Sequence, residues 1–154
     1  MVCKEEEWII VYEKNIFAEH KSFLPQMDEC KNNTSYGFEQ LESFFYRLCK
    51  YNIGKNVFIG MRCYLDDLEP TMFTVEDNCV ISYGVFFACH GINQNHTPIT
   101  IKKGAYIGTR STVISGKKGI TIGENAVIGA CTLVNKDIPA GATAVGVPCR
   151  ILEK

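Results

Sequence analysis

A chain of 154 residues has room for one core of ordinary domain size and hardly for two. Its 46% hydrophobic and 21% charged residues are those of a folded globular protein, which excludes disordered and fibrous classes. The net charge of −1 conceals a gradient, −6 over residues 1–77 and +5 over residues 78–154, so the second half would suit an anion. Its basic residues are scattered and not interleaved with aromatics, which argues against nucleic acid.

No apolar run reaches the ~18 residues that a membrane span requires. Lys4 followed by Glu5-Glu6-Glu7 has the wrong charge for a secretory leader. A cytoplasmic location is expected, with the glutamate run as a solvated face. The eight cysteines include no C-x-x-C pair and sit mostly among apolar residues, so they read as reduced packing residues rather than a disulfide framework.

Residues 1–52 read as an N-terminal cap segment. Trp8 to Tyr12 fits a short strand or a buried helical turn, His20 a surface or packing position, and Asn32 to Gly37 a loop. From Glu39 to Lys50, Leu41, Phe44, Phe45, Leu48 and Cys49 recur at helical spacing. This amphipathic helix is expected to cover the open end of a solenoid formed by the residues from 53 onward.

Residues 53–154 carry a repeat. A large apolar side chain recurs every six residues at Ile53, Ile59, Val75, Ile81, Ile101, Ile107, Ile122 and Ile128. Six preserves the two-residue alternation of a strand, so the first and fifth places of each block face the same way. The fifth place is small (Val57, Cys63, Cys79, Ala105, Ser111, Ala126, Thr132), as the inner corner of a narrow prism requires. The fourth place is Asn56, Asn78, Gly84, Gly104, Gly116 and Asn125, residues that adopt a left-handed backbone readily, which predicts a turn in every block. Three blocks make a coil of eighteen. The anchors Ile53, Val75, Ile101 and Ile122 are 22, 26 and 21 residues apart, so insertions of four, eight and three residues must loop out without disturbing the phase. The longest falls at about 91–100, and long loops on a rigid scaffold are where function concentrates.

The blocks, together with Ile122-Gly-Glu-Asn-Ala-Val-Ile-Gly-Ala-Cys-Thr-Leu-Val-Asn-Lys-Asp-Ile-Pro-Ala-Gly and Gly146-Val-Pro-Cys-Arg-Ile, resemble the hexapeptide-repeat acyltransferases. Within that family they are most similar to the maltose, galactoside and polysaccharide O-acetyltransferase branch. The resemblance covers about residues 50–152. It implies a mainly β fold, a left-handed parallel β-helix, in a homotrimer with active sites between subunits. It further implies acetyl-CoA as co-substrate, without a metal, and a small-molecule carbohydrate acceptor.

Residue by residue, the resemblance makes His90 the general base. Neutral imidazole near pH 7 is suited to taking the proton of an attacking hydroxyl. His90 stands at the fourth, turn-forming place of its block, from which a side chain projects outward. His96, in the insertion, fits a loop histidine that contacts acceptor, or nothing, better than a base. The turn Ile107-Gly108-Thr109 matches the segment whose backbone N–H, assigned to Thr109, would stabilise the oxyanion. Gly108, Ala130, Asn135, Lys136 and Arg150 match positions that hold CoA, the last two by charge. Tyr106 would lie against the pantetheine arm or be an exposed surface aromatic. Asp66 matches a carboxylate that holds an acceptor hydroxyl, with a solvated prism corner as the other reading.

A γ-type carbonic anhydrase shares the solenoid but needs three histidines converging on zinc, and only His90 and His96 lie within the repeat. A non-catalytic hexapeptide-repeat scaffold and an N-acetyltransferase of an amino sugar are the remaining alternatives to an O-acetyltransferase.

Overall fold

The computed structural model describes residues 43, 46–66, 69–90 and 95–152. The chain divides into two compact units, Met1–Gly37 and Phe38–Lys154, and the described residues all belong to the second. The expectations for Trp8 to Tyr12, His20, Asn32 to Gly37 and the glutamate run lie outside them.

Four coils of three short strands each build a parallel β-helix. The first sheet stacks β1 (Asn52–Ile53), β4 (Phe73–Val75), β7 (Ile99–Ile101) and β10 (Ile120–Ile122). The second stacks β2 (Phe58–Ile59), β5 (Val80–Ile81), β8 (Tyr106–Ile107), β11 (Val127–Ile128) and β13 (Thr143–Val145). The third stacks β3 (Tyr64–Leu65), β6 (Phe86–Ala88), β9 (Thr112–Ile114) and β12 (Leu133–Val134).

The six-residue arithmetic survives as register. Ile53 pairs with Val75, Val75 with Ile101 and Ile101 with Ile122. Ile59, Ile81, Ile107 and Ile128 pair in turn on the second sheet, and Leu65, Phe87, Val113 and Val134 on the third. These residues form the buried ladders of the interior. Each fully buried side chain of this size stabilises the fold by roughly 1.5–3 kcal/mol.

The fourth place is left-handed well beyond the asparagines and glycines. Arg62, Arg110 and Cys131 also have φ of 59°, 57° and 54°, so coil geometry overrides residue preference there. Glycine at the second place answers a different need. A Cβ on Gly108 would stand 2.6 Å from the Ala130 nitrogen, and one on Gly123 would stand 2.4 Å from that of Ala140, because consecutive coils nearly touch at these corners.

The ends of the prism are closed differently. At the first coil, residues 43 and 46–48 are helical. Ser43 Oγ donates to the Val57 carbonyl at 2.8 Å, Arg47 Nε to Ile53 O at 2.9 Å and Nη2 to Gly54 O, and the Tyr51 hydroxyl to Leu65 O at 2.6 Å. The segment therefore caps edge carbonyls of the first coil through polar side chains. Cys49 is exposed and not part of a buried face, a correction to the expected apolar stripe; Leu41, Phe44 and Phe45 lie outside the described residues. At the other end β14 (Arg150–Leu152) pairs antiparallel with β13 and covers the last edge of the second sheet.

Cys79, Cys89 and Cys149 are buried and reduced, as expected, whereas Cys49 and Cys131 are exposed and pack no core. Among the described residues no helix is long and apolar enough to cross a membrane.

The three insertions share one location. Each follows a third-sheet anchor, Leu65, Phe87 or Val113, and precedes the next first-sheet strand. The corner between the third and first sheets is thus the one place where the coil varies in length.

Candidate active site

That corner carries the densest chemistry of the described residues. Asp66 follows β3 and His90 follows β6, and because Leu65 pairs with Phe87 the two side chains meet across adjacent coils. Asp66 Oδ2 lies 2.5 Å from His90 Nδ1 and accepts the Cys89 backbone N–H at 2.6 Å. Its carboxylate is fully buried, whereas the His90 ring is 36% exposed. A buried carboxylate needs such partners to offset its desolvation. With Nδ1 engaged by the carboxylate, Nε2 is the ring nitrogen left for another partner.

The solvated reading of Asp66 is therefore wrong, since it has no exposed surface. Its carboxylate points beneath the histidine. Nor does His90 form the expected turn. It has no left-handed backbone and instead makes an antiparallel bridge to His96, because the insertion leaves as a paired neck rather than a six-residue corner.

His96 is part of this neck. Its ring centroid lies 6.4 Å from that of His90, and its Nε2 is enclosed without a hydrogen-bond partner. Thr97 closes the neck: its N–H donates to Cys89 O at 2.7 Å, and its hydroxyl contacts Ser115 Oγ at 2.7 Å and Gly116 O at 2.8 Å. Beneath the site, burial and then the Asp66 charge push the Cys89 thiol up to about 12, so it stays protonated and is no nucleophile.

The remaining sequence-predicted residues fall in three places. Gly108, Thr109 and Ala130 form the corner between the second and third sheets, with Thr109 exposed and its N–H without an acceptor among the described residues. Asn135 and Lys136 are exposed at the third-to-first corner, two coils beyond His90. Tyr106 projects 42% exposed from β8, receiving the Ser82 hydroxyl at 3.2 Å, and Arg150 is exposed on β14. Within one chain, His90 and Thr109 stand at opposite ends of the third sheet. The fold brings Asp66, His90 and His96 together and keeps the oxyanion candidate apart from them.

The Asp66 and His90 pairing escaped the sequence reading. The signal was available: both residues follow third-block anchors, Leu65 and Phe87, which the repeat places on neighbouring coils.

A family model described as the hexapeptide repeat of succinyl-transferase matches residues 52–87 and 98–136. The galactoside O-acetyltransferase of Escherichia coli K12 is 33% identical over 118 residues, 68% of this chain and 57% of that protein. The chain spans a little over half the length of the curated relatives it matches. Among solved structures, a serine acetyltransferase from Brucella abortus superposes with a TM-score of 0.56 at 25% identity, over 68% of this chain and 40% of the other. A hexapeptide-repeat-containing acetyltransferase from Vibrio cholerae shares the fold over 88% of this chain and 92% of its own, with a TM-score of 0.60 at 24% identity. With the repeat matched in sequence, in strand register and in solved relatives, the chain belongs to the hexapeptide-repeat acyltransferase family.

Proposed function

We propose that the protein transfers an acetyl group from acetyl-CoA to a hydroxyl of a sugar or polysaccharide precursor, by direct attack with His90 as general base. The observation that carries this reading is the 2.5 Å contact between the buried Asp66 carboxylate and His90 Nδ1. It orients the ring and leaves Nε2 free to take the hydroxyl proton as the oxygen attacks the thioester carbon. The intermediate's oxyanion would accept the free N–H of Thr109. On collapse, the carbon–sulfur bond breaks and the imidazolium returns its proton to the departing thiolate, giving the ester and CoA. Gly108 and Ala130 would line the pantetheine arm with Tyr106, and Asn135, Lys136 and Arg150 would hold the nucleotide end.

The separation of His90 from Thr109 supports a site shared between copies of the chain. The outward rows support it as well. The first sheet presents Asn52, Thr74, Thr100 and Thr121, whereas the other two present mostly apolar rows, Phe58, Val80, Tyr106 and Val127 ending in Thr143, and Tyr64, Phe86 and Leu133 interrupted by Thr112. Phe86, Tyr106 and Val127 are at least 40% exposed in the single chain. Two apolar faces per chain suit a closed trimer, each copy lending His90 to its neighbour's Thr109.

The test is calorimetric titration with acetyl-CoA and dephospho-CoA, followed by CoA release in the presence of galactosides. Binding at one site per chain, weakened without the 3′-phosphate, and acceptor-dependent release are expected. Absence of acetyl-CoA binding overturns the reading, and release with amino sugars only moves the acceptor atom to nitrogen.

A further inference from the structure

The three-residue lengthening after Val113 puts Lys117 and Lys118 in a turn at the third-to-first corner, on the coil next to that of His90. The turn is fastened on both sides of the histidine neck. Ser115 N–H donates to Ala88 O at 3.0 Å, two residues before His90. Gly116 O accepts the Thr97 hydroxyl at 2.8 Å, and Ile120 N–H donates to Pro98 O at 2.8 Å, immediately beyond His96. Gly119, at φ +87°, packs so closely on Pro98 that a Cβ would meet its carbonyl oxygen at 2.7 Å. The turn is a fixed platform beside the histidines, one coil or about 4.8 Å along the axis.

Both lysines are exposed and, among the described residues, neither is in an ion pair, in contrast to Lys102, which holds Glu76 at 2.8 Å. Nor do the described carboxylates at this corner neutralise them. Asp66 is buried against His90, Asp137 accepts the Thr121 N–H at 2.7 Å, and Glu69 accepts the Thr71 hydroxyl at 2.6 Å. Two cations on consecutive residues of one turn repel each other, a cost that an arriving anion relieves.

Resting on the acetyltransferase reading above, we propose that the acceptor carries an oxyanion, a phosphate or a carboxylate, close to the hydroxyl that is acetylated, and that Lys117 and Lys118 bind it. These lysines belong to the coil adjoining the base and Lys136 to the next one, so the donor's phosphates are the competing occupant, and the double variant's KM for acetyl-CoA tells the two apart.

The experiment compares galactose, galacturonate and galactose 6-phosphate as acceptors, with acetyl-CoA, for the full chain and for Lys117→Ala/Lys118→Ala. The expected result is kcat/KM about tenfold higher for at least one anionic acceptor than for galactose, a preference that falls with added salt and is lost in the double variant. Preference for one anionic sugar over the other tells carboxylate from phosphate. Equal kcat/KM for all three sugars overturns the proposal and leaves the acetyltransferase reading standing. So does a double variant whose defect is a raised KM for acetyl-CoA. Binding of acetyl-CoA with no turnover of any of the three sugars overturns the proposal; absence of acetyl-CoA binding overturns the acetyltransferase reading with it.

Discussion

One oxygen of Asp66 accepts both the His90 ring and the backbone N–H of Cys89, at 2.5 and 2.6 Å. The carboxylate that orients the histidine is thus held by the residue before it, and ring and strand end are fixed as a unit. Asp66→Asn keeps the shape but can present an N–H to Nδ1, favouring the wrong tautomer. It should lower kcat by about 10²- to 10⁴-fold with acetyl-CoA affinity retained. Steady-state kinetics beside calorimetry would check this, and unchanged kcat would remove Asp66 from the positioning role.

His90 and His96 should separate cleanly. His90→Ala is expected to abolish turnover nearly completely while acetyl-CoA still binds. His96→Ala, which removes a ring whose Nε2 is already enclosed, should cost less than about 10²-fold in kcat. The reverse order of effects in a CoA-release assay would exchange their roles.

Two glycines allow the cost of close approach to be compared with that of handedness. A Cβ at Gly123 meets the Ala140 nitrogen at 2.4 Å, and Gly123→Ala should destabilise the fold by about 1–3 kcal/mol. Gly116 has open space around it but a φ of +64°, so Gly116→Ala should cost only about 1–2 kcal/mol. Urea midpoints of the two variants give the order, and a costlier Gly116→Ala would contradict it.

The Lys102 ammonium and the Lys103 N–H hold Glu76 below the usual carboxylate range. A depressed folded-state value means that the contribution is present at neutral pH and fades as pH falls through the carboxylate range. Glu76→Gln should therefore lose stability at pH 7, by less than about 1 kcal/mol at so exposed a pair, and the difference from the parent should close near pH 3. Urea unfolding at the two pH values would show it.

Native alkylation should follow burial. Iodoacetamide at neutral pH is expected to modify Cys49 and Cys131 and to spare Cys79 and Cys89, whose thiols burial keeps protonated. Peptide mapping by mass spectrometry reads this directly, and early labelling of Cys89 would mean that the site opens.

What could be read before folding was whatever the period of six controls. Anchors such as Ile101 and Ile107, the small fifth places and the turns at Asn56 or Gly104 depend on contacts that every coil repeats, so each block is independent evidence for the others. Asp66 was misread because its partner is 24 residues away and its burial comes from the neighbouring coil. The neck at His90 departs from the repeat, and a pattern cannot announce its own interruption. The same spacing puts Thr109 after a second-block anchor, Ile107, and His90 after a third-block anchor, Phe87, and so at different corners.

All three lengthenings occur at the corner between the third and first sheets, while the intervals at the other two corners remain six throughout the four coils. A residue added at either of those would turn the next ladder inside out. Added after Leu65, Phe87 or Val113, it alters no strand pairing. The prism is in this respect a spindle with one open seam, along which segments can be exchanged as cassettes. Grafting the stretch after Val113 from a relative should change which molecules are accepted while leaving the unfolding curve nearly where it was.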